Sequence, residues 1–318
     1  MAEKYAFGID IGGTTVKIGL FAGRGELLYK CSIKTDISEE GENIICDTAN
    51  CIKDIINLKS ISFSEISGIG VCVPGPVMEG GTTSFCPNIG WRMFNVEKAF
   101  SDILDLPVKS GNDATFAALG EKWQGSAKSF SNFVMIVIGT GIGGGIFVDG
   151  KPVLGLVGAA GEIGHMTVNP FETEYCRCGK RGCLEQYASA TGIINLTKKY
   201  IKEGLSTSLG SSNLDLTNLD LKDIFKAYNS NDECARKAVD IFIRYLGLAM
   251  ANINSVLDPE AFIIGGGVSN SGDFILDKIK EAYARFSFSE KGSKTITISK
   301  LKTYAGIYGG ASLFLLPD

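Results

Sequence analysis

The sequence holds one histidine, His165, and no G-x-x-x-x-G-K-[ST] phosphate loop. No run of about twenty apolar residues, the length that crosses a bilayer, occurs in it. No basic, apolar, small-residue leader pattern precedes the strand-like run Tyr5–Ile9. Positive charge is not in excess: 31 Lys and Arg stand against 35 Asp and Glu, a net charge of −4. Each lack excludes something. The charge balance leaves no electrostatic footprint for nucleic acid. The densest basic pairs, Lys180-Arg181 and Lys198-Lys199, read as solvated surface. The longest uncharged run, Phe133–Val148, is interrupted by glycines and reads as two buried strands around a loop. The expected address is the cytoplasm, with neither membrane nor nucleic acid as partner.

What is abundant is glycine, 40 in 318 residues, in a chain long enough for about two domains. The glycines fall in knots directly after apolar, β-branched runs. Ala6–Asp10 leads into Gly12-Gly13, Phe133–Ile138 into Gly139 to Gly145, and Ala261–Ile264 into Gly265-Gly266-Gly267. A backbone that turns to glycine after a strand must turn tightly or lie against something. Tyr5–Ile9 and Val16–Phe21 read as a hairpin around Gly12-Gly13-Thr14-Thr15. Phe133–Ile138 and Gly145–Val148 repeat the device about 130 residues later, as two halves facing one ligand would. Helical spacing marks Asn43–Leu58, Ala114–Trp123, Leu184–Lys202 and Asp232–Leu257, the last stopped by Asp258-Pro259. Residues 203–221 read as a surface excursion, and Gly309–Leu316 as an apolar helix returning to the first half. Strands alternating with helices predict an α/β fold.

Glycine turns present backbone N–H groups to anions, which suits a triphosphate. Gly139, Gly141 and Gly144 match G-x-G-x-x-G, yet a dinucleotide fingerprint opens a helix, and here a strand follows. A single knot would be read as a sheet turn. Three, two with Thr inside, favour phosphate. Asp10, before the first knot, could hold Mg²⁺ or merely cap its own turn.

Nine cysteines occur, six of them scattered. Three cluster as Cys176-x-Cys178-x4-Cys183, beginning eleven residues after His165. Three thiols and one imidazole at short range suit tetrahedral Zn²⁺ in a closed, structural site. A disulfide and an unliganded loop are the alternatives. Asn112-Asp113 sits where a strand candidate ending at Lys109 gives way to a helix. Such sheet ends hold ligands, although Asn and Asp also serve there as helix caps. Glu162 and Glu185 flank the cluster and would converge on it, or stay solvated as most Glu do.

Asp10-Ile11-Gly12-Gly13-Thr14, Gly111-Asn112-Asp113, the Gly139–Gly145 run, Gly161-Glu162-Ile163-Gly164-His165 and Cys176-x-Cys178-Gly179-x-x-Gly182-Cys183-Leu184-Glu185 occur in that order. As a set, spanning almost the whole chain, they resemble the ROK family of sugar kinases and repressors, with a particular likeness to its bacterial glucokinases. The resemblance implies an actin-like ATPase (hexokinase-like) α/β fold, two lobes around a cleft. A small lobe would hold residues 1–112 plus about 300–318, and a large lobe 113–299 with the zinc clip. It implies a homodimer or homotetramer.

It further implies ATP-dependent phosphorylation of the 6-hydroxyl of a hexose, glucose first. N-acetylmannosamine, N-acetylglucosamine, fructose or allose are alternative acceptors, polyphosphate an alternative donor, and a non-catalytic sugar-responsive regulator a second reading. By motif match Asp113 is the base. Gly75, Asn88, Asn112, Asp113, Glu162, His165 and Glu185 take the sugar. Asp10, Gly12, Gly13, Thr14, Thr15, Lys17, Gly139, Thr140, Gly141, Gly265 and Gly266 serve ATP and Mg²⁺. His165, Cys176, Cys178 and Cys183 hold structural Zn²⁺, His165 serving metal and sugar together. The family's repressors carry a helix-turn-helix domain before the first strand. Four residues precede it here, so DNA binding is not expected.

Overall fold

The computed structural model describes residues 4–210, 219–270, 273–288 and 294–316. The chain divides into two compact units. Unit 1 comprises Met1–Met135, Gly145–Gly161 and Ser299–Asp318, and unit 2 comprises Ile136–Gly144 and Glu162–Ile298.

Unit 1 begins with a meander, β1 (Tyr5–Ile11), β2 (Thr15–Ala22) and β3 (Glu26–Lys34). β1 and β2 pair antiparallel with Ile11 opposite Val16, so Gly12-Gly13-Thr14 is the hairpin turn the glycine knot predicts. Helix α1 (Asn43–Leu58) has the predicted bounds. After β4 (Ile66–Val73) comes a hairpin absent from the sequence reading, β5 (Thr82–Cys86) and β6 (Trp91–Asn95). Helix α2 (Val96–Leu104), β7 (Val108–Asn112) and α3 (Asp113–Gln124) complete this run. The sheet order is β3-β2-β1-β4-β7, with β1, β4 and β7 mutually parallel. The predicted end of β7 at Lys109 is too early. The strand pairs with β4 as far as Val73–Asn112, because small Ser110 and Gly111 carry the ladder on despite weak strand propensity.

Strand alternation sorts β1 between two layers. Phe7, Ile9 and Ile11 join Ile44, Ile52, Ile55, Val96 and Phe100 of α1 and α2 in one buried core. The opposite face gives Ala6, which clusters with Trp123 of α3 and with Ile307 and Ala311 of the last helix, α9 (Ala305–Leu315). The tail thus returns to the first half of the chain as its apolar pattern predicts. Contact on this face is backbone to backbone. A Cβ on Gly8 would lie 1.7 Å from the Ile307 carbonyl oxygen, and one on Gly309 would lie 1.8 Å from that of Phe116. Gly309→Ala is therefore expected to cost about 1–3 kcal/mol through overpacking, read as a lower urea midpoint with an unchanged m-value.

The second five-stranded sheet has the order β10-β9-β8-β11-β12, with β8 (Phe133–Ile138), β9 (Ile142–Val148), β10 (Lys151–Pro152), β11 (Ala261–Gly266) and β12 (Thr295–Ile298). β8 and β9 form the predicted hairpin, but β9 begins at Ile142 rather than at Gly145, so the turn is only Gly139-Thr140-Gly141 and Gly143 to Gly145 lie in the strand. The helices of unit 2 are α4 (Glu185–Ala188), α5 (Ala190–Lys202), α6 (Leu221–Asn229), α7 (Glu233–Leu257) and α8 (Asp273–Phe286). The single helix expected over Leu184–Lys202 is broken at Ser189, whose extended backbone and side chain cap α5 by accepting from Gly192 N–H. A short polar residue competing for backbone hydrogen bonds favours such a cap over continuation. Helix α7 starts on its Asp232 N-cap and stops at Asp258 in the left-handed region, before Pro259. Part of the predicted excursion, 211–218, lies outside the described residues. No described helix is long and apolar enough to cross a membrane.

Candidate active site

In unit 1 the predicted residues gather at the carboxyl ends of the parallel strands. Asp10 lies near the end of β1, with Cys72 of β4 as its neighbour in register. Gly75 follows β4, and Asn112-Asp113 joins β7 to α3. This is where open α/β sheets hold ligands. Asn112 is indeed the N-cap of α3, its Oδ1 accepting from Ala114 N–H at 2.9 Å and Thr115 N–H at 3.2 Å. Its Nδ2 leans on the Gly75 carbonyl at 3.4 Å, so the amide is fixed from both ends. Asp113 is the first residue of the helix, and its Oδ1 accepts from Ala114 N–H at 2.7 Å. An acidic group there complements the helix dipole. Cap and site coincide: the bonds that start α3 also orient Asn112 and Asp113.

Asp10 pairs with Lys17 across the first hairpin at 2.7 Å. Burial works against the charge of Lys17, yet the Asp10 carboxylate beside it holds the ammonium above its ordinary pKa. Cys72, fully buried and donating to the Ile9 carbonyl, has its thiol pushed far up by burial and then by the charges of Asp10 and Asp113. The Asp10 carboxylate lies beside this sulfur, and the Asp113 charge acts on it more weakly.

The first glycine turn closes through Gly12 N–H to the Thr15 carbonyl, with Thr14 exposed at its tip. Buried Thr35 braces it, its hydroxyl donating to the Gly12 carbonyl at 2.6 Å and its N–H to that of Thr14 at 3.0 Å. Thr35 escapes sequence reasoning, since a threonine after a strand carries no signal. A Cβ on Gly13 would lie 3.2 Å from the Asn88 carbonyl oxygen, so the turn and the Asn88 segment touch. Gly13 is needed for that approach.

In unit 2 the Cys/His cluster assembles as predicted. One donor atom from each of His165, Cys176, Cys178 and Cys183 lies within 4.8 Å of the others. Cys178 and Cys183 Sγ are 3.6 Å apart, and Cys176 Sγ is 3.9 Å from His165 Nδ1. These separations are too long for a disulfide. They lie close to the edges of about 3.6–3.8 Å that tetrahedral Zn–S and Zn–N bonds imply. The segments are held by Cys176 N–H to the Lys180 carbonyl at 2.7 Å, Gly179 N–H to that of Cys176, and Leu184 N–H to that of Met166. Gly182 is obligatory: its φ is +72°, and a Cβ would lie 1.8 Å from the Asn169 carbonyl oxygen.

The thiols are not alike. Burial, aided by the Glu185 carboxylate, pushes Cys176 up. Cys178 sits below its ordinary value, because the Lys180 N–H and the neighbouring thiols outweigh its burial. Metal binding favours thiolates, so the cluster gains most from a cation at its centre.

Glu185 joins the clip to its surroundings. Its Oε1 accepts from Cys176 Sγ at 2.9 Å and lies 3.6 Å from His165 Nδ1. Its Oε2 lies 2.8 Å from where a Cβ on Gly141 would be, so the second glycine turn runs past it. Glu162 is half-buried, which raises its carboxyl pKa, with His165 opposing and the Glu185 charge adding to the rise. The second turn closes through Gly139 N–H to the Gly141 carbonyl, and the Gly139 carbonyl receives Ala190 N–H at the start of α5. Thr140 is exposed at its tip, as Thr14 is in the first. Gly265 and Gly266 end β11 beside it: Gly266, at φ +80°, would place a Cβ 2.3 Å from the Ile138 carbonyl oxygen. The predicted residues thus form two constellations, one in each unit.

A family model described as the ROK family matches residues 6–316. The chain belongs to the ROK family. A glucokinase from Halalkalibacterium halodurans is 37% identical over 315 residues, covering 98% of this chain and 96% of its own. A xylose repressor from Caldicellulosiruptor bescii is 32% identical over 305 residues, covering 95% of this chain and 76% of the repressor. Among solved structures, a ROK family glucokinase from Streptomyces griseus, in complex with glucose and AMPPNP, matches at TM-score 0.79 and 30% identity over 98% of this chain and 99% of that one. The fold is the actin-like, hexokinase-like fold that the ROK resemblance implies. Kinases and repressors share it, so the fold leaves the activity to be argued from the residues.

Proposed function

We propose that the protein is an ATP-dependent hexose kinase that phosphorylates the 6-hydroxyl of glucose. Asp113 supports this most. A sugar-responsive regulator needs only to bind, whereas a kinase needs a base held at the sheet end, and Asp113 is held there by the cap of α3. The glucokinase relatives, including one solved with glucose and AMPPNP, favour the same reading.

Asn112, Gly75 and Asn88 take sugar hydroxyls. Glu162, His165 and Glu185 take others. Asp113 accepts the proton of the 6-hydroxyl as its oxygen attacks the γ-phosphate, and ADP leaves. Phosphoryl transfer is chiefly positioning and charge stabilisation, so this base needs only to point and accept. The turns at Gly12-Gly13 and Gly139–Gly141, with Gly265-Gly266, offer backbone N–H groups to the phosphates. Lys17 holds Asp10, and Asp10 would hold Mg²⁺, which offsets phosphate charge when bound.

Zn²⁺ would be held by His165 Nδ1, Cys176, Cys178 and Cys183, a four-donor set that leaves no position for substrate. Its role is to stiffen the clip. With Nδ1 turned to the sulfurs, the other edge of the ring, Nε2, serves the sugar. Glu185, in contact with both Cys176 and His165, is positioned by the same cluster.

A coupled assay over glucose, N-acetylglucosamine, N-acetylmannosamine, fructose, mannose and allose, each with ATP and with polyphosphate, tests the reading. Glucose with ATP is expected to give the highest kcat/KM. An N-acetyl sugar in first place would move the acceptor within the same chemistry. Phosphate transfer to none of them would overturn the kinase.

A further inference from the structure

Glu121 lies near the end of α3, is not among the residues assigned above to sugar or nucleotide, and is completely buried. Burying a charged group is costly unless it is fully hydrogen-bonded. Here four donors meet it. Oε1 accepts from the Ser299 hydroxyl at 2.6 Å and from Leu301 N–H at 2.8 Å. Oε2 accepts from Ser126 N–H at 2.5 Å and from Lys300 N–H at 3.3 Å. Its main-chain carbonyl receives Gly125 and Ala127 N–H at 3.0 Å each. Ser126 closes the ring, its hydroxyl accepting from Lys300 N–H at 3.1 Å. Gly125 is part of the device, since a Cβ there would stand 2.0 Å from Glu121 Oε2.

The partners matter for where they lie in the chain. Ser299 is the residue at which the chain leaves unit 2 and re-enters unit 1. Residues 299–301 lead through a short 3-10 turn, Lys302–Tyr304, into α9, which packs along α3. Gly125–Ala127 leads from α3 toward β8, where the chain first leaves unit 1. One carboxylate therefore grips both connections and anchors them to α3, the helix whose first residue is Asp113.

We infer that Glu121 is a positioning residue for phosphoryl transfer: it fixes α3, and with it the direction of Asp113, to the segment by which the chain re-enters unit 1. It touches no substrate and acts through the helix. Glu121 is eight positions after Asp113, roughly 12 Å along a helix axis. At that distance a small tilt at one end displaces the other by a fraction of an ångström. Transfer by positioning is sensitive to such shifts, with about 1 Å worth on the order of a hundredfold in rate. Binding of a sugar, spread over several groups, is less so. The effect on rate rests on the kinase reading above. The anchoring does not.

The test is Glu121→Gln in the full chain. The amide has the same shape but turns one acceptor into a donor. Whichever way it lies, its NH2 faces a backbone N–H, of Leu301 or of Ser126 and Lys300. We expect kcat to fall about tenfold or more, while KM for glucose moves less than about threefold, the pattern of a contact felt only in the transition state. Amide exchange followed by mass spectrometry should rise about tenfold at 299–301 and also at 114–115, the first turn of α3. A kcat within twofold of wild type would overturn the inference, as would faster exchange at 299–301 with none at 114–115. If Glu121→Gln does not fold, Ser299→Ala, which removes one of the four hydrogen bonds, should lower kcat about two- to threefold at constant KM. An unchanged kcat there would equally overturn it. If the wild type phosphorylates no sugar, the kinase reading fails, and exchange at 114–115 alone decides the anchoring.

Discussion

Asp113→Asn is expected to lower kcat for glucose phosphorylation by about 10²–10⁴-fold, the range for removing a positioned general base. The substitution is nearly isosteric and keeps an oxygen to accept the 2.7 Å hydrogen bond from Ala114 N–H. Asn112 still caps α3 with its own Oδ1, so the helix start survives. Glucose affinity, followed by fluorescence of Trp91 or Trp123, should change only a few-fold. The split between a lost rate and a retained affinity is the informative result, since a role in binding alone would raise KM and leave kcat standing. Wild-type kcat in the variant would remove Asp113 as the base. A loss of glucose binding equal to the loss of rate would make it a sugar ligand and nothing more.

Cys178→Ser is expected to have the second-largest effect. Cys178 is exposed, so the change opens no core cavity and its consequence is confined to the donor set. A hydroxyl is a poor zinc ligand, and metal affinity should fall by more than about 100-fold, beyond what loss of an outer-shell partner costs. Metal analysis of the purified wild type should find one zinc per chain, and that of the variant little or none. Glucose KM should rise with the loss of zinc. His165 Nδ1 and Glu185 Oε1 both lie against Cys176 and have no other rigid support among the contacts described for them. Adding zinc to the variant at high concentration should recover part of the affinity. Zinc-free wild type with full activity would dismiss the clip as a metal site.

Much of this was legible in the chain itself, because the chemistry there is local. The Cys176–Cys183 spacing sets its own loop, and Gly179 and Gly182 take the left-handed angles it needs. The two glycine hairpins follow strands whose β-branched pattern is plain. Helix α1 was readable to its ends because its apolar spacing is regular. Where signals compete, the reading fails. The helix expected over Leu184–Lys202 ignores what Ser189 does as a cap, and the predicted end of β7 ignores that β4 carries the ladder through small residues. The β5–β6 hairpin, which flanks the Asn88 segment, has too short and mixed a pattern to stand out.

The sequence by itself determined the Cys/His cluster, the glycine turns, the Asn112-Asp113 junction and the family, since each depends on residues close together or on their order. Only the tertiary structure decided what holds them. Thr35 bracing Gly12, Asp10 lying beside Cys72, Glu185 lying between the clip and Gly141, and Glu121 gripping residues 299–301 all join positions far apart in the chain. Spacing along a chain carries no record of such contacts. They exist because burial brings the segments together, and a buried polar group must then find its partner wherever the fold has placed one.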